Sequence, residues 1–282
     1  MEDKIELNKP RRMKAYITLL SNEKYFDGVV ILYRTLLELQ SQYPLYCMLS
    51  ITVDNDVESR LEKIGVKCIR LSRKTIGADI NAESGSLTFS HWAQTFDKLQ
   101  VWGLTQFEKL VFVDSDMLIR SNIDSLFERP PFTAVCAGCS YPTNTDWFGL
   151  NSGLLVLEPN KKIEEDLYAL APKVVEEFLA KGMSVGDQDV INRYMSDWHL
   201  HKELHLDEGY NLLADYLSYY IKYNGYSWSG EKGSPVYIVH FIGRQKPWMK
   251  KQLRNWAWFF RECIRNPYYF LAYIKYISYL RR

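Results

Sequence analysis

The sequence predicts an α/β fold, one main domain built on a mixed, mostly parallel sheet. Three observations predict it. Short apolar runs alternate with stretches of helical spacing from Lys14 onward. The runs carry apolar residues on both faces, as buried parallel strands do. Polar clusters fall where strands end or helices begin, the edge at which open α/β sheets bind ligands. The chain has 282 residues, 47% hydrophobic and 24% charged. That is enough apolar material for one large α/β domain and excludes a disordered chain.

Lys14 to Leu20 reads as the first strand, and Ser21 to Lys24 as a turn. Phe26 to Leu39 places Val29, Val30, Leu32, Tyr33, Leu36 and Leu37 at helical spacing. Leu45 to Val53 is the second strand, and Asp54-Asn55-Asp56 opens a helix through Leu61. Lys67 to Leu71 is the third strand. This alternation implies parallel strands joined by right-handed crossovers. Neither Gly-x-Gly-x-x-Gly nor a Walker-type loop is present. Arg73 to Ser90 is polar and irregular, long enough to cover a site. Phe96 to Leu104 reads as a helix carrying Lys98, and Ile123 to Phe127 as a short helix. Phe132 to Cys139 is read as a strand, and Leu154 to Leu157 as another behind Asn151-Ser152-Gly153. Ile163 to Leu179 is an amphipathic helix, and Gly186-Asp187-Gln188-Asp189 opens one more. Tyr237 to Phe241 is a late strand that contains His240.

The chemistry concentrates at Lys109 to Arg120, where the apolar run Leu110 to Val113 meets Asp114-Ser115-Asp116. Two like charges one residue apart repel unless a cation lies between them, and hard divalent ions prefer oxygen ligands. The bland alternative is a turn whose acids cap backbone amides. Four further clusters favour a site: Ser21-Asn22, Asn151-Ser152-Gly153, Asp187-Gln188, and His240 with Lys246.

Composition narrows the setting. The five cysteines are scattered, which suits a reducing compartment without a disulfide frame. Met1 to Arg12 is charged with no apolar core, unlike a secretory signal, and no run of about 20 apolar residues appears. A cytoplasmic location is expected. The formal charge of +1 hides an asymmetry. Arg244 to Arg282 holds ten Lys and Arg against one Glu, leaving 25 basic and 33 acidic residues in the rest. A basic, aromatic tail suggests an anionic partner surface.

In order and spacing these clusters resemble glycosyltransferase family 8, the family of glycogenin and the bacterial lipooligosaccharide galactosyltransferases. The resemblance covers about Lys14 to Lys250. It is carried by Ile17 to Asn22 with Tyr25, Lys98 with Trp102, and Phe112 to Asp116. Leu126-Phe127, Asn151 to Gly153 and Gly186 to Gln188 continue it, and His240 to Arg244 with Lys246-Pro247-Trp248 completes it. It implies a GT-A fold, a UDP-sugar donor, manganese or magnesium, and transfer with retention at the anomeric carbon. It implies that Asp114, Asp116 and His240 hold the metal, and that Leu19, Ser21, Asn22 and Tyr25 receive the uridine. By the same resemblance Ser115 would belong with the donor site, and Gly243 and Lys246 would serve the diphosphate. Lys98, Asn151, Ser152, Asp187 and Gln188 match the family's sugar-contacting positions, the last two being the catalytic candidates. Phe89 and Ser184 depart from the family pattern, so the sugar need not be glucose. UDP-glucose and UDP-galactose lead the candidates.

The implied division is a catalytic domain over 13–250 and a helical tail over 251–282. Asn266-Pro267 reads as an N-cap and first helical residue. Tyr269, Tyr273, Tyr276 and Leu280 recur at helical spacing, too short to span a bilayer but suited to lying on one. A helix packed on the domain is the plain alternative. The tail resembles that of the lipooligosaccharide enzymes, so the expected acceptor is a glycan, a lipid-linked glycan or a protein. Peripheral attachment to the inner membrane face is allowed, as is a homodimer, and no nucleic acid is expected. A self-glucosylating, glycogenin-like primer is one rival. A haloacid-dehalogenase-type phosphohydrolase is another, disfavoured because Met117-Leu118 follows Asp116. A non-catalytic membrane-surface protein would lack the metal ligands.

Overall fold

β1 (Met13–Leu20) forms the centre of the sheet because it is apolar on both faces and buried along most of its length. Asn22 then caps a 3-10 turn, its side chain accepting from Lys24 N, and α1 (Phe26–Glu38) follows. β2 (Leu45–Leu49), α2 (Asn55–Ile64) and β3 (Lys67–Arg70) continue the alternation. Gly65 ends α2 at φ 105°, the left-handed conformation that favours glycine at a helix C-terminus. The structure, a computed structural model, describes residues 12–73, 93–243, 246–249 and 253–281. The covering loop expected over Arg73 to Ser90, Phe89 included, lies outside the described residues beyond Arg73, as does Arg244.

β4 (Phe107–Val113) leads through the Asp114–Asp116 turn into β5 (Met117–Ile119). β6 (Ala134–Val135) and β7 (Asn151–Leu157) complete the main sheet, whose order is β3-β2-β1-β4-β7-β6. The strands β1 to β4 run parallel, and β7 alone runs antiparallel to its neighbours. The chain steps outward from β1 to β3, then crosses back to set β4 on the other side of β1. That reversal opens a crevice between the carboxyl ends of β1 and β4. Ser21-Asn22 and Asp114-Ser115-Asp116 stand at those two ends.

Alternation divides the core. Ala15 and Ile17 face a cluster with Trp102, Leu167 and Val190, while Tyr16 faces one with Leu32, Val113 and Phe127. α3 (Lys161–Ala180) and α4 (Asp187–Tyr194) cover the first side. β8 (Leu212–Leu213), α5 (Leu217–Tyr223), β9 (Tyr226–Ser227), β10 (Ser234–Pro235) and β11 (Ile238–His240) follow. β5, β11 and β8 form a small sheet of their own, in that order.

Three expectations about elements change. The strand read over Phe132–Cys139 shrinks to two residues, because Phe132 takes φ 63° and Gly138 φ 85°, each turning the chain out of the sheet. The second strand stops at Leu49. The helix read over Phe96–Leu104 is a run of 3-10 turns, Ala93–Gly103.

The tail forms α6 (Leu253–Arg265) and α7 (Pro267–Ser278). Asn266 caps α7 as its sequence suggests, accepting from Tyr269 N at 3.1 Å. The tyrosine stripe does not face outward. Tyr269, Tyr276 and Tyr279 are buried in a cluster with Ile31 of α1, Leu118 of β5 and Val239 of β11. The Tyr279 carbonyl accepts from Arg34, and Lys275 pairs with Glu38 at 2.8 Å, fixing α7 to α1. The tail is therefore built into the main body of the fold. The face it leaves exposed is the other one, with Phe270, Leu271 and Ile274.

Candidate functional site

The five polar clusters meet at one crevice. Asn151-Ser152-Gly153 joins them because β7 runs antiparallel: the start of β7 lies beside the end of β4, and Asp114 N donates to Gly153 O at 2.8 Å. His240 arrives from the small sheet, where it pairs with Met117, two residues past Ser115. Phe241 N donates to Asp116 O at 3.1 Å and locks the Asp turn to the end of β11. A Cβ on Gly153 would lie 2.8 Å from His240 Cε1 and 2.8 Å from Met117 Cε, so only glycine lets the imidazole settle against β7.

Two lysines hold the acids. Lys98, buried at 5% exposure, bridges Asp114 Oδ1 and Asp187 Oδ2, both at 3.1 Å. Its Nζ also donates to Ser152 Oγ at 3.2 Å. A lysine on a helix usually lies on a solvated face; here it is buried under the crevice between two carboxylates. Lys246 donates to Asp116 Oδ2 at 2.5 Å and to Phe241 O at 2.9 Å. Burial acts to lower the pKa of both ammonium groups, but the neighbouring carboxylates outweigh it and raise both. Burial likewise acts against ionised Asp116, yet the Lys246 ammonium prevails and holds its carboxyl below the ordinary carboxylate range.

The two lysines take Asp114 Oδ1 and Asp116 Oδ2. Across the gap, Asp116 Oδ1 lies 3.2 Å and Asp114 Oδ2 3.9 Å from His240 Nε2. The ligand atoms of the three residues lie within 4.8 Å of one another. Asp116 Oδ1 is buried and accepts no hydrogen bond among the described residues. An orphaned buried carboxylate oxygen is costly, and two oxygens with one imidazole nitrogen suit a divalent cation. The donor set thus fits the manganese or magnesium that the resemblance implies.

Asp187 and Gln188, expected to face the sugar, start α4. Ser152 Oγ donates to Asp187 Oδ2 at 2.7 Å. Asn151 Nδ2 and Ser152 N donate to Gln188 Oε1 at 3.0 and 3.2 Å. Leu19, Ser21 and Asn22, expected to receive the uridine, are half-buried at the end of β1. The Tyr25 and Trp248 rings meet edge to face at 6.0 Å, and Trp248 stacks on Tyr276 of α7 at 5.8 Å. The Tyr276 hydroxyl donates to Ser115 O at 2.7 Å. Gly28 of α1 is needed there too, since a Cβ would lie 2.7 Å from Ser115 O. A Cβ on Gly243 would meet nothing within 4 Å among the described residues.

Sequence reasoning missed Asn211, fully buried, whose Oδ1 stands 3.0 Å from His240 Nδ1. It missed Thr95, whose hydroxyl accepts from Asp187 N at 3.2 Å, and the support that Tyr276 lends the Asp turn. Nothing in the residues around Asn211 signals it; it precedes a two-residue strand that propensity cannot find.

The sequence profile of glycosyl transferase family 8 matches residues 16–252. Glycogenin-1 of Caenorhabditis elegans is 32% identical over 241 residues, 83% of this chain and 51% of that protein. A putative UDP-glucuronate:xylan alpha-glucuronosyltransferase 5 of Arabidopsis thaliana is 32% identical over 186 residues, 66% of this chain and 29% of that protein. The chain thus spans about half or less of these relatives. Among solved structures, galactosyltransferase LgtC in complex with donor and acceptor sugar analogs superposes with a TM-score of 0.58. It is 15% identical, and the match covers 85% of this chain and 90% of that one. At that distance the likeness shows the fold alone.

Proposed function

The chain belongs to glycosyl transferase family 8 and is a glycosyltransferase of the GT-A fold, and from that premise we propose that it transfers a hexose from a UDP-sugar with retention, in a manganese-dependent reaction. The observation that carries this reading is the convergence of Asp114 Oδ2, Asp116 Oδ1 and His240 Nε2 beside Asp187 and Gln188. A divalent ion held there supplies positive charge where the β-phosphate of the leaving UDP gains negative charge. Lys246 sits on the same carboxylate and adds a second cation near that phosphate. Asn22 offers its amide to the uracil edge, and Tyr25 with Trp248 offers ring faces to the base.

The hydrogen bonds support different roles for the two candidate catalytic residues. Gln188 Oε1 already accepts from Asn151 and Ser152, so its amide N–H groups are what it offers the sugar. Asp187 has Oδ2 engaged by Ser152 and Lys98, so Oδ1 is the oxygen that supports oxocarbenium-like charge at the anomeric carbon. The donor is read as UDP-glucose or UDP-galactose.

For the acceptor, the exposed rim of α6 and α7 supports a glycan linked to lipid. Phe260, Ile264, Phe270 and Ile274 are exposed there, with Arg261 and Arg265 also exposed on α6. Each basic residue near an anionic bilayer contributes about 1 kcal/mol. No helix among the described residues is long and apolar enough to cross a membrane.

The test is UDP release from a panel of UDP-sugars, with and without chelator. Manganese should restore release after chelation, and Asp116→Asn should lower it by roughly 100-fold or more. Full activity in chelated protein would overturn the metal assignment.

A further inference from the structure

Two backbone amides at the start of β7 determine the hydrogen positions along a partly buried row of side chains, and the row ends on the buried imidazole of His240. Ser152 N donates to Gln188 Oε1 at 3.2 Å, and Gly153 N donates to Asn151 Oδ1 at 3.0 Å. A backbone N–H can only donate, so both side-chain amides are fixed in orientation without appeal to convention. With its Oδ1 so placed, Asn151 turns Nδ2 to Gln188 Oε1, 3.0 Å away. The group that Asn211 sets against Asn151 Oδ1, 2.8 Å away, must then be the donor Nδ2. Asn211 Oδ1 is left facing His240 Nδ1 at 3.0 Å. An oxygen there requires the proton on Nδ1.

We infer that Asn211 is a positioning residue for the metal centre: it holds the proton of His240 on Nδ1 and so keeps the Nε2 lone pair turned to Asp114 and Asp116. This inference rests on the metal reading above and adds a residue to it. Histidine ligands commonly give their second ring nitrogen to a carbonyl or carboxylate, and loss of that partner weakens metal binding about 10- to 100-fold. Here the partner is an amide, and its own orientation is set by Asn151. The same row reaches Gln188, so one set of hydrogen bonds fixes a metal ligand and a sugar-side residue together.

The test compares Asn211→Leu with Asn211→Asp. Leucine fills the space and accepts nothing; aspartate still accepts from Nδ1–H. Manganese affinity is read directly from free Mn2+ by electron paramagnetic resonance, with UDP present and no turnover. Asn211→Leu should weaken binding at least about 10-fold, while Asn211→Asp stays within a few-fold of the wild type. In parallel, long-range 1H–15N NMR of the wild-type protein loaded with UDP and diamagnetic Mg2+ should show His240 Nδ1 protonated and Nε2 without a proton. Asn211→Leu binding manganese as tightly as wild type would overturn the inference, as would equal loss in the two variants. If Asn211→Leu does not fold, the wild-type NMR decides: a protonated Nδ1 supports the assignment and a bare Nδ1 overturns it. Wild-type protein that binds no manganese would instead remove the metal reading, while the NMR result would still decide the tautomer.

Discussion

Asp187 is a residue whose proposed role can be separated from nucleotide binding. Its carboxylate is held by Ser152 and Lys98 on the side proposed for the sugar, while Tyr25 and Trp248 belong to the side proposed for the nucleotide. Asp187→Asn removes the charge and keeps the shape. Transfer should fall by orders of magnitude while UDP affinity, measured by calorimetry, stays within a few-fold. Parallel loss of both would make Asp187 a structural partner of Lys98 and nothing more. Lys98 illustrates the limit of reading residues singly. As one cation in a polar helical segment it looks solvated, and only its burial between two carboxylates gives it meaning.

At the scale of elements, the junction between α6 and α7 is held by one side chain. Asn266 Oδ1 accepts from Tyr269 N at 3.1 Å and from Ser218 N at 3.1 Å, and its Nδ2 donates to Ala214 O at 2.9 Å and Asp215 O at 3.0 Å. It is only 4% exposed, so Asn266→Ala removes a helix cap and leaves several buried groups without partners. A cap contributes about 1 kcal/mol and each orphaned group costs a further 1 to 3, so a loss of roughly 3 kcal/mol is expected in urea unfolding. A loss below about 1 kcal/mol would mean that water replaces the side chain. The N-cap was legible from Asn266-Pro267; its bonds to Ala214, Asp215 and Ser218 were not, because they join segments about 50 residues apart in the chain.

For the whole molecule, the tail is the part whose meaning changes most. A separable, membrane-seeking segment could be removed without harm to the body. Instead Phe259, Tyr269, Ala272, Tyr276 and Tyr279 are buried against α1, β5 and β11. Burying a large apolar side chain contributes about 1.5 to 3 kcal/mol, so the group together matches the whole net stability of a typical domain, roughly 5 to 15 kcal/mol. Truncation after Gln252 should therefore abolish cooperative thermal unfolding and yield aggregated protein on gel filtration. A truncated protein that melts within a few degrees of the full chain would show α7 to be dispensable. The loss would reach the site as well, since Tyr276 supports both Ser115 and Trp248.

The sequence by itself determined the alternation of strands and helices, the Asp114-Ser115-Asp116 turn at a strand end, and the set of polar clusters. Those features are local: apolar periodicity and the chemistry of neighbouring residues are written in short windows of chain. The tertiary structure decided the rest. It set β7 antiparallel, which carried Asn151 to Gly153 to the ligand edge, and it brought His240 beside Asp116 through a three-residue strand. It turned the tyrosines of α7 inward, and it placed Asn211 against the imidazole. Strand direction, the inward face of a helix and the partner of a buried amide depend on which distant segments exclude water together. No window of sequence contains both halves of such a contact.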